Sequence, residues 1–134
     1  MPKIIHTFPP NIAAIVKVFP MATNSGTIFA FGEFIYVPSG KELPPELMAH
    51  ELVHCERQLK QGVDEWWAQY LVDPDFRYHE ELLAHRAEYL KLCELYPTRH
   101  QRRYFLQHVA KKLAARLYGK MVTIQRASED IRNV

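Results

Sequence analysis

Residues 44–59 read PPELMAHELVHCERQL, a stretch that combines the signals of an amphipathic helix with the pattern HExxH. Its two prolines suit the first turn of a helix, the glutamate after them favours the positive N-terminal end, and Gly62 fits the position just past the C-terminus. Positions four apart on a helix lie one above the other, so His50 and His54 can present ring nitrogens to one ion, with Glu51 about 100° round the helix. The stretch therefore predicts a helix with a metal-binding face.

The apolar residues of this helix predict how it packs. They recur at helical spacing and form one stripe, made of Met48, Leu52, Cys55 and Leu59. We expect that stripe to lie on the core and the histidine face to border a cleft. Two histidines satisfied by ordinary hydrogen bonds are the alternative, but the motif in a helical context favours zinc.

Length and composition predict a single domain over residues 1–134. The chain has 48% hydrophobic and 24% charged residues, which is typical of a globular protein with a real core. Its longest apolar run, residues 12–19, contains a lysine and is too short to cross a membrane, and no convincing signal peptide is present, so a cytoplasmic protein without membrane contact is expected. Cys55 and Cys93 lack CxxC spacing, which favours reduced, buried thiols over a disulfide framework.

The segments on either side of the HExxH helix predict an α+β fold. A short N-terminal sheet with a β-hairpin precedes that helix, and a mainly helical C-terminal half follows it. The expected elements are a strand over 3–8, a helix over 11–18, a loop over 21–26, hairpin strands over 27–31 and 34–37, and helices over 63–72, 74–95, 98–118 and 123–131. If the second hairpin strand lies at a sheet edge above the cleft, it can hold an extended peptide as an added strand. An ordinary edge strand without a ligand is the equally weighted alternative.

A catalytic zinc needs three protein ligands and one open position for water, so a third ligand is required. The metzincin arrangement would place Gly at position 57 and His at position 60. This chain has Arg57 and Lys60, which excludes it.

The helix over 74–95 offers the missing ligand. Glu81, His85 and Glu88 share one of its faces, beside the small Ala84, where a close helix contact is possible. Glu81 is the best candidate, with Glu80 as the first alternative and His85 as the second.

HELVH at residues 50–54, followed by ELLAH at residues 81–85, resembles the HExxH plus ExxA(D) arrangement of gluzincin-type zinc metallopeptidases. Over about residues 34–90 the chain is also similar to small zincin-like proteins, many of them carried by phages. The resemblance implies a minimal zincin-like fold and a Zn²⁺-dependent peptidase. It implies that His50, His54 and Glu81 bind the metal and that Glu51 is the catalytic base.

One position departs from the family pattern. The family's Asp, four residues after the ligand glutamate, is His85 here, so the carboxylate that would orient a zinc-bound histidine is expected to be missing. His85 is then a candidate proton donor. Tyr78 and His85 are favoured over His79 and Tyr89 as the donor that steadies the oxyanion during hydrolysis.

The region from residue 99 to residue 120 predicts a basic helix. Residues 97–120 hold 7 basic and no acidic side chains, whereas residues 33–94 hold 13 acidic and 6 basic ones. A solvated face, or one that pairs with the acidic region, is favoured over nucleic-acid binding.

Three functions fit these observations. The first is a zinc metallopeptidase that acts on peptides or on one host or phage protein. The second is a non-catalytic binding module of the same fold, which the small size of the chain favours. The third is a regulatory peptidase that cleaves a DNA-bound protein such as a repressor, for which the basic helix would supply the nucleic-acid contact.

Overall fold

Three short strands form one mixed sheet at the N-terminal end of the computed structural model. They are β1 (Lys3–Ile5), β2 (Phe29–Phe31) and β3 (Phe34–Tyr36), rich in the aromatic and β-branched residues that favour strands. The sheet order is β1-β3-β2, with β1 parallel and β2 antiparallel to β3. Residues 2–24, 26–115 and 122–133 are described.

The hairpin is confirmed, but its second strand does not lie at a sheet edge, which was the condition for pairing with a peptide. Gly32, with a φ of 65°, turns the chain tightly between β2 and β3, as a two-residue hairpin requires. β3 pairs with β2 on one side and with β1, from the start of the chain, on the other. The edge strand beside the helices is therefore β2.

Six α-helices and one 3₁₀ helix make up most of the described structure. The helices are α1 (Ile12–Val18), α2 (Pro45–Gln61), α3 (Val63–Val72), α4 (Pro74–Leu95), α5 (Arg99–Leu113) and α6 (Ile124–Asn133), and the 3₁₀ helix spans Pro20–Thr23. The α+β class is thus confirmed. α2 begins at the proline pair and ends before Gly62, whose φ of 106° is one that glycine adopts readily.

Several element boundaries differ from those predicted. The first strand ends at Ile5 rather than residue 8, and a 3₁₀ helix starting at Pro20 replaces part of the loop expected over 21–26, because proline suits a first helical position. α5 ends at Leu113 rather than Tyr118. The terminator expected for it, Gly119, lies outside the described residues.

The apolar residues of the described structure form three clusters. The first joins the sheet, α1, the 3₁₀ helix and α3, and it contains Trp66, Trp67 and Tyr70. The second joins α4, α5 and α6, and Val109 and Leu113 are among its fully buried residues. The third and smallest joins the hairpin to α2 through Cys55, and α2 also packs on α4.

The packing predicted for α2 is wrong in one respect. Leu59, expected in the core, is 56% exposed, whereas His50, His54 and Gln58 are buried. This polar face is buried because its histidines pack on the Glu81 carboxylate of α4 and Gln58 hydrogen-bonds to the backbone of the hairpin.

Two smaller expectations concern the cysteines and the membrane. Cys55 and Cys93 are both free thiols; Cys55 is buried and Cys93 is partly exposed. Among the helices of the described ranges, none combines the length and apolar character that a membrane crossing needs.

Candidate metal centre

The packing of α2 on α4 brings the three expected metal ligands together. Nε2 of His50 lies 3.4 Å from Oε1 of Glu81, and Nε2 of His54 lies 3.1 Å from Oε2 of the same carboxylate. Two ligand atoms bound to a tetrahedral zinc at about 2.0–2.2 Å are separated by roughly 3.3 Å. Each of these two nitrogen–oxygen distances is close to that separation, and the types of donor atom suit zinc.

Glu80, the first alternative to Glu81, lies elsewhere. Its Oε1 accepts hydrogen bonds from Nε of Arg57 and Nε1 of Trp66, both at 2.7 Å. One residue along a helix rotates a side chain by about 100°, so only one of two consecutive glutamates can face α2 at the histidines. That residue is Glu81.

His50 is oriented by a carboxylate that the sequence analysis expected to be missing. Its Nδ1 lies 3.0 Å from Oε1 of Glu88, which is seven residues rather than four after Glu81. Seven residues are two helical turns, so Glu88 lies on the same face of α4 as Glu81. Because Nδ1–H donates to a carboxylate, the neutral form of His50 has its lone pair on Nε2, which points toward Glu81. The absence of an orienting carboxylate was predicted wrongly, because the prediction took into account only position 85 and not position 88.

Lys112 joins the cluster from α5. Its ammonium group pairs with Oε2 of Glu88, so the two oxygens of Glu88 hold His50 on one side and Lys112 on the other. Together with Lys112, the hydrogen bond from His50 outweighs burial and holds the pKa of Glu88 at about 2. Glu88 is therefore a carboxylate across the physiological pH range.

His85 is fully buried against His50, with ring centroids 4.5 Å apart. Its Nδ1 lies 2.7 Å from the backbone oxygen of Glu81, one turn earlier in α4. Burial, helped by the charge of His50, lowers the pKa of His85 to about 3, so the ring is neutral near pH 7. A neutral ring does not suit the role of proton donor that was considered for it.

His85 is instead placed as an alternative ligand. The trio whose ligand atoms all lie within 4.8 Å of one another consists of His50, Glu81 and His85. His54 is outside that trio but contacts the Glu81 carboxylate directly at 3.1 Å. We give more weight to the direct contact of His54, because Nδ1 of His85 already bonds to a backbone carbonyl.

Negative charge is concentrated around His50. Burial would lower its pKa, but the carboxylates of Glu51, Glu81 and Glu88 outweigh burial and raise the pKa of His50 to about 10. Burial raises the pKa of Glu51, whose Oε2 lies 3.7 Å from Nε2 of His50. His54 and His50 hold the pKa of Glu81 well below its usual value, although burial opposes them. Such a cluster favours a cation at its centre, whether a proton or a metal ion.

The two tyrosines near α4 have different surroundings. The hydroxyl of Tyr78 donates to Oδ2 of Asp130 on α6 at 2.6 Å, and Tyr78 packs against the second core rather than the cluster. The structure therefore does not place Tyr78 at the metal centre. Tyr70 of α3, which is not among the site residues predicted from the sequence, donates its hydroxyl to Oε2 of Glu81 at 2.6 Å. No pattern in the sequence around Tyr70 indicates this contact, because it forms only when α3 packs on α4.

A cavity of about 430 Å³ opens over the cluster. Its lining includes His50, Glu51, His54 and Glu81, together with aromatic residues of α3 that adjoin them. Glu51 thus faces the same space as the candidate ligands.

Gln58 occupies backbone hydrogen-bonding groups along the free edge of β2 beside this cavity. Its side-chain amide donates to the carbonyl of Ala30 at 2.9 Å and accepts from the N–H of Gly32 at 2.7 Å, as a neighbouring strand would. Nε1 of Trp67 donates to the same Ala30 carbonyl at 3.1 Å. A carbonyl oxygen has two lone pairs, so no added strand can pair at Ala30. Only the residues before it remain available for such pairing.

The predicted basic helix is only partly a free charged surface. Lys112 pairs with Glu88, and Arg102 donates two hydrogen bonds to the carbonyl of Pro97 at the start of its own helix. Arg99 and Arg103 are exposed, while Arg116 and Lys120 lie outside the described residues. The alternative in which basic side chains pair with the acidic region is thus realised at Lys112.

Comparison of the chain with protein-family models, with curated proteins and with solved structures gave no match.

Proposed function

We propose that the chain is a zinc-dependent metallopeptidase of minimal zincin type, with His50, His54 and Glu81 as metal ligands. The observation that carries the proposal is the meeting of two histidines of α2 at one glutamate carboxylate of α4, with Glu51 beside them in an open cavity. Bound zinc would act as a Lewis acid on a peptide carbonyl and on water.

Glu51 is proposed as the general base. It would take a proton from the attacking water and return that proton to the leaving amine. The pKa of Glu51, raised by burial, suits this exchange better than that of an ordinary exposed carboxylate. Its position beside Nε2 of His50 keeps it close to the carbonyl carbon of a substrate held at the cluster.

The remaining residues of the cluster position the ligands. Glu88 fixes the tautomer of His50, and Tyr70 holds one oxygen of Glu81 through its hydroxyl. Two rigid supports for two ligands reduce the reorganisation needed when an ion binds.

The Glu51→Gln variant tests the catalytic part of this proposal. We expect it to bind about one zinc per chain, as the parent does, and to lose at least ~100-fold in cleavage of an unbiased peptide library. Glu56→Gln, an exposed glutamate on the same helix, is the matched control and should cleave normally. Undiminished cleavage by Glu51→Gln would rule out its role as base. Zinc binding without any cleavage by the parent would instead favour the non-catalytic binding module.

The ligand set is tested by comparing His54→Ala with His85→Ala. Chelator competition should show that loss of His54 weakens zinc binding far more than loss of His85. Nε2 of His54 lies 3.1 Å from the Glu81 carboxylate, whereas Nδ1 of His85, at 3.5 Å from it, already bonds to a backbone carbonyl. The reverse order would assign the second nitrogen ligand to His85.

A further inference from the structure

A second groove lies between α5 and α6, apart from the candidate metal centre. It has a volume of about 400 Å³ and shares no lining residue with the cavity over the histidines. Its polar lining residues come from both helices, with Arg103 and Gln107 on α5 and Gln125, Ser128, Glu129 and Arg132 on α6. The groove is therefore a separate place where a polar ligand can bind.

The two arginines of this groove belong to opposite walls, and both are exposed. Within residues 2–24, 26–115 and 122–133, neither guanidinium forms an ion pair or a hydrogen bond; the arginines that do are Arg57, Arg77, Arg86, Arg102 and Arg126. Glu129, the one acidic residue among the described lining residues, has a carboxylate oxygen 3.4 Å from Nε2 of Gln125. Guanidinium groups with free donors match the oxygens of a phosphate.

The exposed side of α5 next to the groove adds a positive charge and an aromatic ring. Arg99 is exposed and lies one turn before Arg103 on the same face. Tyr104 is 64% exposed, and its ring is nearly parallel to that of His108, at 7° with centroids 6.3 Å apart. No acidic residue occurs between positions 97 and 120. Basic side chains that hold phosphates, beside an exposed ring on which a base can stack, are typical of surfaces that bind single-stranded nucleic acid.

We propose that the groove between α5 and α6 binds the phosphates of a single-stranded nucleic acid, and that Tyr104 stacks on one of its bases. Arg103 and Arg132 hold the phosphates from the two walls, and Arg99 extends the basic path along α5. The inference is independent of the proposed peptidase activity, because no residue of the metal centre takes part.

Both walls of the groove are anchored in the second core. Val109 and Ala110 of α5 and Ala127 and Ile131 of α6 are fully buried in that core. From α4, Nη1 of Arg86 also donates to the carbonyl of Ile131 at 2.6 Å. The backbone on both sides is thus held in place before a strand binds, which lowers the cost of ordering.

Fluorescence anisotropy of a labelled oligothymidylate of about 20 nucleotides tests the proposal on the full chain. We expect a micromolar Kd at about 50 mM salt that rises about 10- to 20-fold at about 200 mM, because about three bound phosphates release their counterions. Absence of binding at the lower salt concentration, or a Kd that does not change with salt, would overturn the inference. Equal competition by polyglutamate would also overturn it and would assign the groove to acidic polypeptides.

Zinc separates this groove from the metal centre. The Kd should be the same with zinc and with excess chelator, because the groove and the cavity have no lining residue in common. Binding that requires zinc would place the phosphates at the metal centre and overturn the inference, while the proposed function would stand.

Two double variants separate the groove from the overall charge of the chain. Arg103→Gln combined with Arg132→Gln should raise the Kd at least ~10-fold, because both lost charges line the groove. Lys17→Gln combined with Lys60→Gln removes the same charge from exposed positions on α1 and α2 and should raise the Kd less than ~3-fold. Equal losses in the two double variants would contradict the assignment to the groove.

Tyr104→Ala tests the stacking contact. We expect this variant to raise the Kd about 5-fold or more, whereas Tyr104→Phe, which keeps the ring, should bind as the parent does. Because the side chain is largely exposed, neither change should disturb the fold. An unchanged Kd for Tyr104→Ala would overturn the proposed stacking.

Discussion

Glu88 links three elements through one carboxylate. One oxygen holds His50 on α2, the other holds Lys112 on α5, and the residue itself belongs to α4. A buried carboxylate with both oxygens engaged cannot easily turn away, so the imidazole of His50 is held with Nε2 toward Glu81. This is the support that carboxylates commonly give to metal-binding histidines.

Replacing Glu88 by Gln is predicted to weaken zinc binding by about 10- to 100-fold. The amide can still accept a hydrogen bond from His50, but it no longer carries the charge that makes the imidazole a stronger ligand. Competition with a chromogenic chelator measures the change. Glu94→Gln, an exposed position on the same helix, is the control. Equal zinc affinity in both variants would mean that Glu88 does not support His50 as a ligand.

Gln58 makes a second contact that a single substitution can test. Gln58→Leu keeps a similar volume but leaves the buried N–H of Gly32 without its acceptor, while Trp67 still bonds to Ala30. The free energy of unfolding should fall by about 1–3 kcal/mol, measured by urea denaturation. Gln61→Leu removes an exposed amide pair from the same helix and should cost less than about 0.5 kcal/mol. A loss for Gln58→Leu no larger than for Gln61→Leu would show that the edge of β2 does not need this amide.

α4 is the element on which both the site and the second core depend. Its buried residues include Glu81, His85 and Glu88 of the site as well as Leu82 and Leu92 of the second core. Such a helix has little net amphipathicity, because charged and apolar side chains are both buried. Its position is therefore set by hydrogen bonds and ion pairs as well as by apolar contact.

The start of α4 provides a test at the level of one helix. Oδ1 of Asp73 accepts hydrogen bonds from the N–H groups of Asp75 and Phe76, at 3.1 and 3.2 Å. Asp73→Ala should lower the free energy of unfolding by about 1 kcal/mol. Asp75→Ala removes a charge from the same turn without removing a cap, so it should cost only a few tenths of a kcal/mol. Equal losses in thermal denaturation would assign the effect to charge rather than to capping.

At the scale of the whole molecule, the charged cluster lies where two helices with different apolar contacts meet. α2 supplies the histidines and packs on the hairpin through Cys55, whereas α4 supplies carboxylates and shares a core with α5 and α6. An ion bound between α2 and α4 would bind the folded chain and not the unfolded one. Metal binding must then appear as added stability.

Zinc is predicted to raise the melting temperature of the whole chain. At a free zinc concentration 100 times Kd the added stability is about 2.7 kcal/mol, which corresponds to roughly 10 °C for a domain of this size. Calorimetry with zinc and then with excess chelator measures the shift. Mg²⁺ should produce little change, because it prefers oxygen ligands in octahedral geometry. A His50→Ala protein that still shows the full zinc shift would place the binding elsewhere.

Much of the secondary structure follows from the residues of the chain without its fold. The proline pair and Gly62 mark both ends of α2, and Asp73 and Thr98 mark the starts of α4 and α5 with side-chain caps, because such signals act within one or two turns. The same periodicity places His50 and His54 one turn apart on one face. These conclusions need only helical geometry.

Contacts between distant segments depend on the tertiary structure. Which glutamate of α4 meets the histidines depends on how that helix is rotated against α2. The rotation is set by the apolar contacts of both helices with the rest of the fold. The same packing sends the hydroxyl of Tyr78 to Asp130, places that of Tyr70 on Glu81 and brings Glu88 to His50. Likewise, β3 is the central strand only because β1, which lies far from it in sequence, pairs with it in parallel. Local patterns reach a few residues along the chain, whereas these pairings join positions 11 to 52 residues apart.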